Sequence, residues 1–160
     1  MLRFHTDRSP NVSSPSSHSP SIALAPSSSR RIGRSVLAMV VAVVANVVLS
    51  LATDQLFHVL NVYPPWGQPM FEPALNALAL SYRIVYGILG GAIVAHLAPR
   101  APMRHATILG IIGTAVAALG AVVTITKYDL GPSWYPISLA VVALPTTWLG
   151  AKWDERIRRS

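Results

Sequence analysis

The sequence predicts an all-α membrane protein, with four transmembrane helices in two antiparallel hairpins preceded by a disordered Ser/Pro-rich tail. Three observations carry this. Of the 160 residues, 52% are hydrophobic and only 12% charged, against roughly 25% charged in ordinary soluble domains. The apolar residues come in long blocks rather than short alternating runs, and blocks of about 18 or more read as membrane-spanning helices. The basic residues gather at the ends of those blocks, where they orient helices in a bilayer.

Two classes of function drop out early. A formal net charge of +7 would suit a nucleic-acid partner, but the basic residues form no stripe with interleaved aromatics, so none is expected. The chain has no cysteine, which removes disulfides, thiolate catalysis and iron–sulfur clusters.

Residues 1–29, rich in Ser and Pro, show no apolar periodicity and bury too little to offset their ordering entropy. They are expected to form a disordered cytoplasmic tail, with residues 30–153 as the transmembrane domain and 154–160 as a charged cytoplasmic tail. The first helix is placed at 35–53, behind Arg30, Arg31 and Arg34. Ser29-Arg30-Arg31 resembles the start of a twin-arginine signal, and Ser50-Leu51-Ala52 has the spacing of a signal-peptidase site. The apolar run is longer than an h-region of about 7–15 residues, so a retained helix is expected.

Prolines 64, 65, 69 and 73 end that helix and build a turn-rich cover, in which Tyr63, Trp66 and Phe71 suit the headgroup level. Leu56, Phe57 and Leu60 either extend the first helix or lie flat in the interface. The second helix is placed at 74–98, with Glu72 capping its positive end. The third is placed at 105–125, carrying Gly110, Gly113, Ala117 and Gly120 as close-packing positions. The fourth is placed at 133–151, with an aromatic pair near each end (Trp134 and Tyr135, Trp148 and Trp153) and a kink at Pro145.

Nine Lys and Arg residues flank the amino-terminal helix start, the turn around residues 99–104 and the carboxyl tail, whereas the two opposite loops hold only Lys127. The positive-inside rule therefore puts both termini in the cytoplasm and the protein in the inner (plasma) membrane.

The chemistry-bearing candidate is Arg83. A cation near mid-helix costs about 2.5–3.5 kcal/mol on insertion scales. It lies roughly 13 Å from the helix start at 1.5 Å per residue. Its helix and the preceding one run in opposite directions, and side chains lean toward the helix start. Arg83 and Asp54 are thus aimed at each other, and an intramembrane charge pair is expected. Asn46 and Ser50 continue the Asp54 ridge as a polar seam, to which Tyr82 and Tyr86 contribute from beside the cation. The ridge Ala79, Arg83, Gly87, Gly91, Ala95 offers small residues for close packing, with Gly87 and Gly91 facing the first or third helix.

His96 and His105 bracket the cytoplasmic turn, but a metal needs three or four ligands and no well-placed carboxylate is evident. No nucleophile elbow, phosphate-binding loop or HExxH occurs, so no catalytic, metal or cofactor site is expected.

Taken together, Tyr63-Pro64-Pro65-Trp66-Gly67, Tyr82-Arg83 with Tyr86-Gly87, Leu89-Gly90-Gly91, Leu97-Ala98-Pro99-Arg100, Trp134-Tyr135-Pro136-Ile137 and Ala143-Leu144-Pro145 resemble a family of small, uncharacterised bacterial four-helix integral membrane proteins, over about residues 35–151. The resemblance implies the architecture and no activity. Small multidrug exporters are a poor match, because they centre on a glutamate in the first helix where this chain has only Asn46 and Ser50. The leading expectation is an accessory or structural protein acting through helix contacts with itself or another membrane protein. The alternative is a small-solute or ion transporter using Arg83 and the Asn46–Ser50–Asp54 seam.

Overall fold

The computed structural model describes residues 28–98 and 101–160. The body of the expected tail, residues 1–27, and Pro99-Arg100 of the basic turn lie outside the described residues. The described chain is all-helical: α1 (Ser28–Val59), α2 (Pro73–Leu97), α3 (Pro102–Lys127) and α4 (Trp134–Ile157). Among the described residues, three stretches are long and apolar enough to cross a membrane: Gly33–Val59, Pro73–Leu97 and Pro102–Lys127. The fourth helix falls outside this set because its prolines, threonines and charged last turns dilute its apolar residues.

Local sequence explains the boundaries and corrects several expected ones. No proline interrupts α1, so the helix continues through Leu56 and Phe57 to Val59, six residues past the expected end. Asn61 then takes a left-handed conformation at φ 55°, which a short amide side chain tolerates. Pro73 opens α2 at a position where its missing N–H costs nothing. Glu72 occupies the N-cap, at the positive end of the helix, and its side chain makes no capping hydrogen bond. The fourth helix runs six residues beyond 151, so much of the expected tail is helical.

Pro145 does not interrupt α4. The Thr146 hydroxyl donates to the carbonyls of Val142 (2.7 Å) and Ala143 (3.1 Å), and the Thr147 hydroxyl donates to Ala143. These bonds reach the two carbonyls next to that of Val141, the one that Pro145 leaves without its helical N–H.

Packing follows residue size. The buried cluster is Ala38, Ala42, Val94, Ala95, Ala106 and Ala151, drawn from all four helices, while large apolar residues such as Leu119 (69% exposed) and Val141 (66%) point outward. This reverses a soluble bundle, where large side chains fill the core, and matches helices that associate through small residues. The fourth helix packs most extensively, against both α2 and α3; α1 lies along α2, barely meets α3, and its backbone comes nowhere within 8 Å of that of α4.

The glycine ridge of α2 therefore faces a different neighbour from the one expected. A Cβ at Gly87 would lie 2.6 Å from Thr146 Oγ1, and one at Gly91 would fall on the Thr147 carbonyl, so both pack on α4 rather than on α1 or α3. Gly150 of α4 answers from the other side, against the backbone of Ile88 and Ala92. Gly110 of α3 also packs on α4, 2.7 Å from Leu144 Cδ1 by the same measure. Gly113 meets only Ala143 Cβ at 3.9 Å, and Gly120, expected to be a close-packing position, has nothing within 4 Å.

The loops are tied to each other. The Met70 amide donates to Leu130 O (2.7 Å), and the buried Asn76 Nδ2 donates to Met70 O (2.8 Å) and Glu72 O (2.9 Å). At the opposite end, Asp154 accepts from His96 Nδ1 (3.0 Å) and Arg158 Nε (2.8 Å), while Arg158 Nη2 donates to Ala95 O (3.1 Å). His96 therefore does have a carboxylate beside it, contrary to the sequence reading: the added turns of α4 bring Asp154 up to the end of α2.

Candidate functional site

The site is built from the end of α1 and the first half of α2. Asp54, 8% exposed, projects from α1, and Arg83 Nη2 donates to its Oδ2 at 2.6 Å. The Tyr82 hydroxyl donates to Asp54 Oδ1, and Arg83 Nη1 donates to the Tyr82 oxygen at 2.9 Å. Both carboxylate oxygens thus have a donor, and the guanidinium bridges a carboxylate and a phenol. The cation also lies 5.1 Å from the ring centre of Tyr82 and 5.9 Å from that of Tyr135 on α4. Those aromatic surroundings favour a guanidinium, which is weakly hydrated and stacks on rings.

The remaining seam residues lie close by. Ser50 Oγ donates weakly to Asn46 Oδ1 (3.4 Å), and Tyr86 shares a 2.7 Å hydrogen bond with Thr53. Tyr86 therefore holds α1 rather than Arg83. Tyr63 departs from its expected place at the headgroups. It is 5% exposed, packs on Phe57 with ring centres 5.1 Å apart, and its hydroxyl reaches Tyr82 at 3.4 Å. Burial pushes its phenol above the usual value; the Asp54 charge adds to this, while Tyr82 and Arg83 oppose it.

Below the charge pair lies a cavity of about 440 Å³ that all four helices wall, a volume in the range of small-molecule sites. Asn46, Ser50 and Asp54 line it from α1, Arg83 and Gly87 from α2, Gly113 and Ala117 from α3, and Thr146 and Thr147 from α4. The lining is otherwise apolar. The structure brings Asn46, Ser50, Asp54 and Arg83 to one space, and leaves Tyr82 beside the pair and Tyr86 on the α1–α2 contact.

Sequence reasoning missed Tyr135 and the two threonines. Its position beside Trp134 suits Tyr135 to an interfacial belt, and nothing in sequence spacing links it to a cation two helices away. The threonine pair after Pro145 was the available signal: two hydroxyls beside a proline in an apolar helix suggest backbone groups in need of partners.

No known protein family, curated protein or solved structure matches the chain.

Proposed function

We propose that this is a multi-pass membrane protein, four helices in two antiparallel hairpins with both termini cytoplasmic, that binds and carries a small solute in its central cavity. The observation that carries the reading is the coincidence of that cavity with the polar seam: Asn46, Ser50, Asp54 and Arg83 meet in one space of about 440 Å³. Ionisable residues inside membrane helices are costly and tend to mark substrate or ion pathways. The wholly helical fold, the outward-facing large apolar side chains and the basic flanks support residence in the inner (plasma) membrane.

A structural role through helix contacts with a partner has less in its favour. The glycines that would mediate it, Gly87, Gly91 and Gly110, are already occupied within the chain by α4. Neither catalysis nor nucleic-acid binding enters this reading.

Because the native chain has no cysteine, single-cysteine variants report accessibility without background. Ser50→Cys in intact membranes is expected to react with a small, uncharged, membrane-permeant thiol reagent, and Arg83→Ala is expected to change its rate. An unreactive Ser50→Cys would indicate a dry, closed bundle and return the protein to the structural reading. Gln68→Cys and Ser160→Cys are expected to react from opposite sides of the membrane.

A further inference from the structure

Three features of the cavity bear on what enters it. The first is its wall. Val43, Val47 and Leu51 line it from α1, yet they are 46%, 50% and 56% exposed. A residue that lines a cavity and also faces outward marks an opening. Since the α1 backbone stays more than 8 Å from that of α4 and barely meets α3, that opening is sideways, between α1 and the α3–α4 pair. In a membrane, this direction leads to acyl chains rather than to water.

The second feature is the closed end. Ala38 and Ala42 of α1 join Val94, Ala95, Ala106 and Ala151 in the buried cluster, with Met39, Met103 and Leu109 packed on it. That cluster draws on the start of α1, the end of α2, the start of α3 and the end of α4, and seals the helices together there.

The third feature is the charge at the other end. Arg83 is answered by Asp54, and both Asp54 oxygens are engaged. The polar end is therefore an electrically neutral arrangement of donors and acceptors. A free anion would gain the guanidinium only by competing with a buried carboxylate held at 2.6 Å. A neutral, hydrogen-bonding group faces no such competition, and Asn46 and Ser50 add contacts along the wall.

We infer that the occupant is a single-chain amphiphile with an uncharged hydrogen-bonding head, entering from the lipid between α1 and the α3–α4 pair. Its head sits at Asp54–Arg83 and its chain runs along the apolar wall toward the alanine cluster. The inference rests on the proposed membrane site and specifies its ligand class and its route.

The probe is a monoacylglycerol whose chain carries a photoreactive diazirine and a terminal alkyne, applied to the full chain in liposomes. Cross-linked peptides are expected to concentrate on cavity residues, notably Asn46, Ser50 and Ala143, over outward residues such as Leu119 and Val141. Gly113→Phe, which puts a ring where the nearest neighbour is Ala143 Cβ at 3.9 Å, is expected to cut cavity labelling roughly tenfold by filling the space. Gly120→Phe, with nothing within 4 Å, is the control and is expected to leave it unchanged. A fatty acid carrying the same photoreactive chain is expected to label the cavity more weakly than the monoacylglycerol.

Even labelling of all outward faces would overturn the inference, as would cavity labelling that survives Gly113→Phe or stronger labelling by the fatty acid. If Ser50→Cys reacts with the small thiol reagent while the photoprobe misses the cavity, the amphiphile is excluded and the solute site stands. If both fail, the site itself is excluded.

Discussion

Between Gly91 of α2 and the Thr147 carbonyl of α4 there is no room for a side-chain carbon. Two helix backbones touch there, and Gly150 repeats the arrangement against Ile88. Gly91→Leu and Gly150→Leu are each expected to force α2 and α4 apart. The cost should be at least the ~1–3 kcal/mol typical of overpacking. Unfolding in detergent titrated with SDS measures it, with Gly120→Leu expected to be near neutral.

Removing one member of the Asp54–Arg83 pair leaves the other charge buried and unanswered. Arg83→Ala and Asp54→Ala are each expected to cost about 3–5 kcal/mol, the scale for breaking a buried pair. The double variant should cost less than the sum, with a coupling of about 0.5–3 kcal/mol. Strict additivity in the same unfolding assay would dissolve the pair as an energetic unit.

Asn76 holds the end of the α1–α2 loop, whose Met70 amide in turn bonds Leu130 O of the other loop. Asn76→Ala leaves the Met70 and Glu72 carbonyls without its amide, and the expected loss is about 1–3 kcal/mol. Because that loop then loosens first, limited proteolysis around residues 60–72 should accelerate before global unfolding does.

The Tyr63 phenol gives a pH dependence whose sign follows from its burial. Its affinity for the proton is raised in the folded state above the ordinary value of 10.0. The folded form therefore holds that proton more tightly than the unfolded form. The associated stability is present in full below pH 10.0 and is lost as pH rises toward and through the folded value. Tyr63→Phe, which keeps the ring packed on Phe57, is expected to flatten part of this alkaline loss in thermal melts taken across the pH range.

Much of this was readable in the sequence because local chemistry and long-range packing agreed. Helix direction and side-chain lean were enough to aim Asp54 at Arg83, since both lie near the one loop that joins their helices. The contacts of the fourth helix are not legible in this way. Which helix receives Gly87 and Gly91 depends on the spatial order of all four, and an i, i+4 ridge reveals a small face without revealing its neighbour. The same limit hid Tyr135 behind Arg83 and Asp154 beside His96, contacts between residues more than fifty positions apart. The cavity was legible only as the polar seam on α1; its volume comes from α1 standing clear of α4, which no periodicity encodes.

The central position of α4 also bears on how the protein is made. A chain emerging from the ribosome presents α1, α2 and α3 before α4 exists, so the notches at Gly87, Gly91 and Gly110 are made before the helix that fills them. The contacts of α4 with α2 and α3 therefore close the fold last, down to Arg158 on the Ala95 carbonyl.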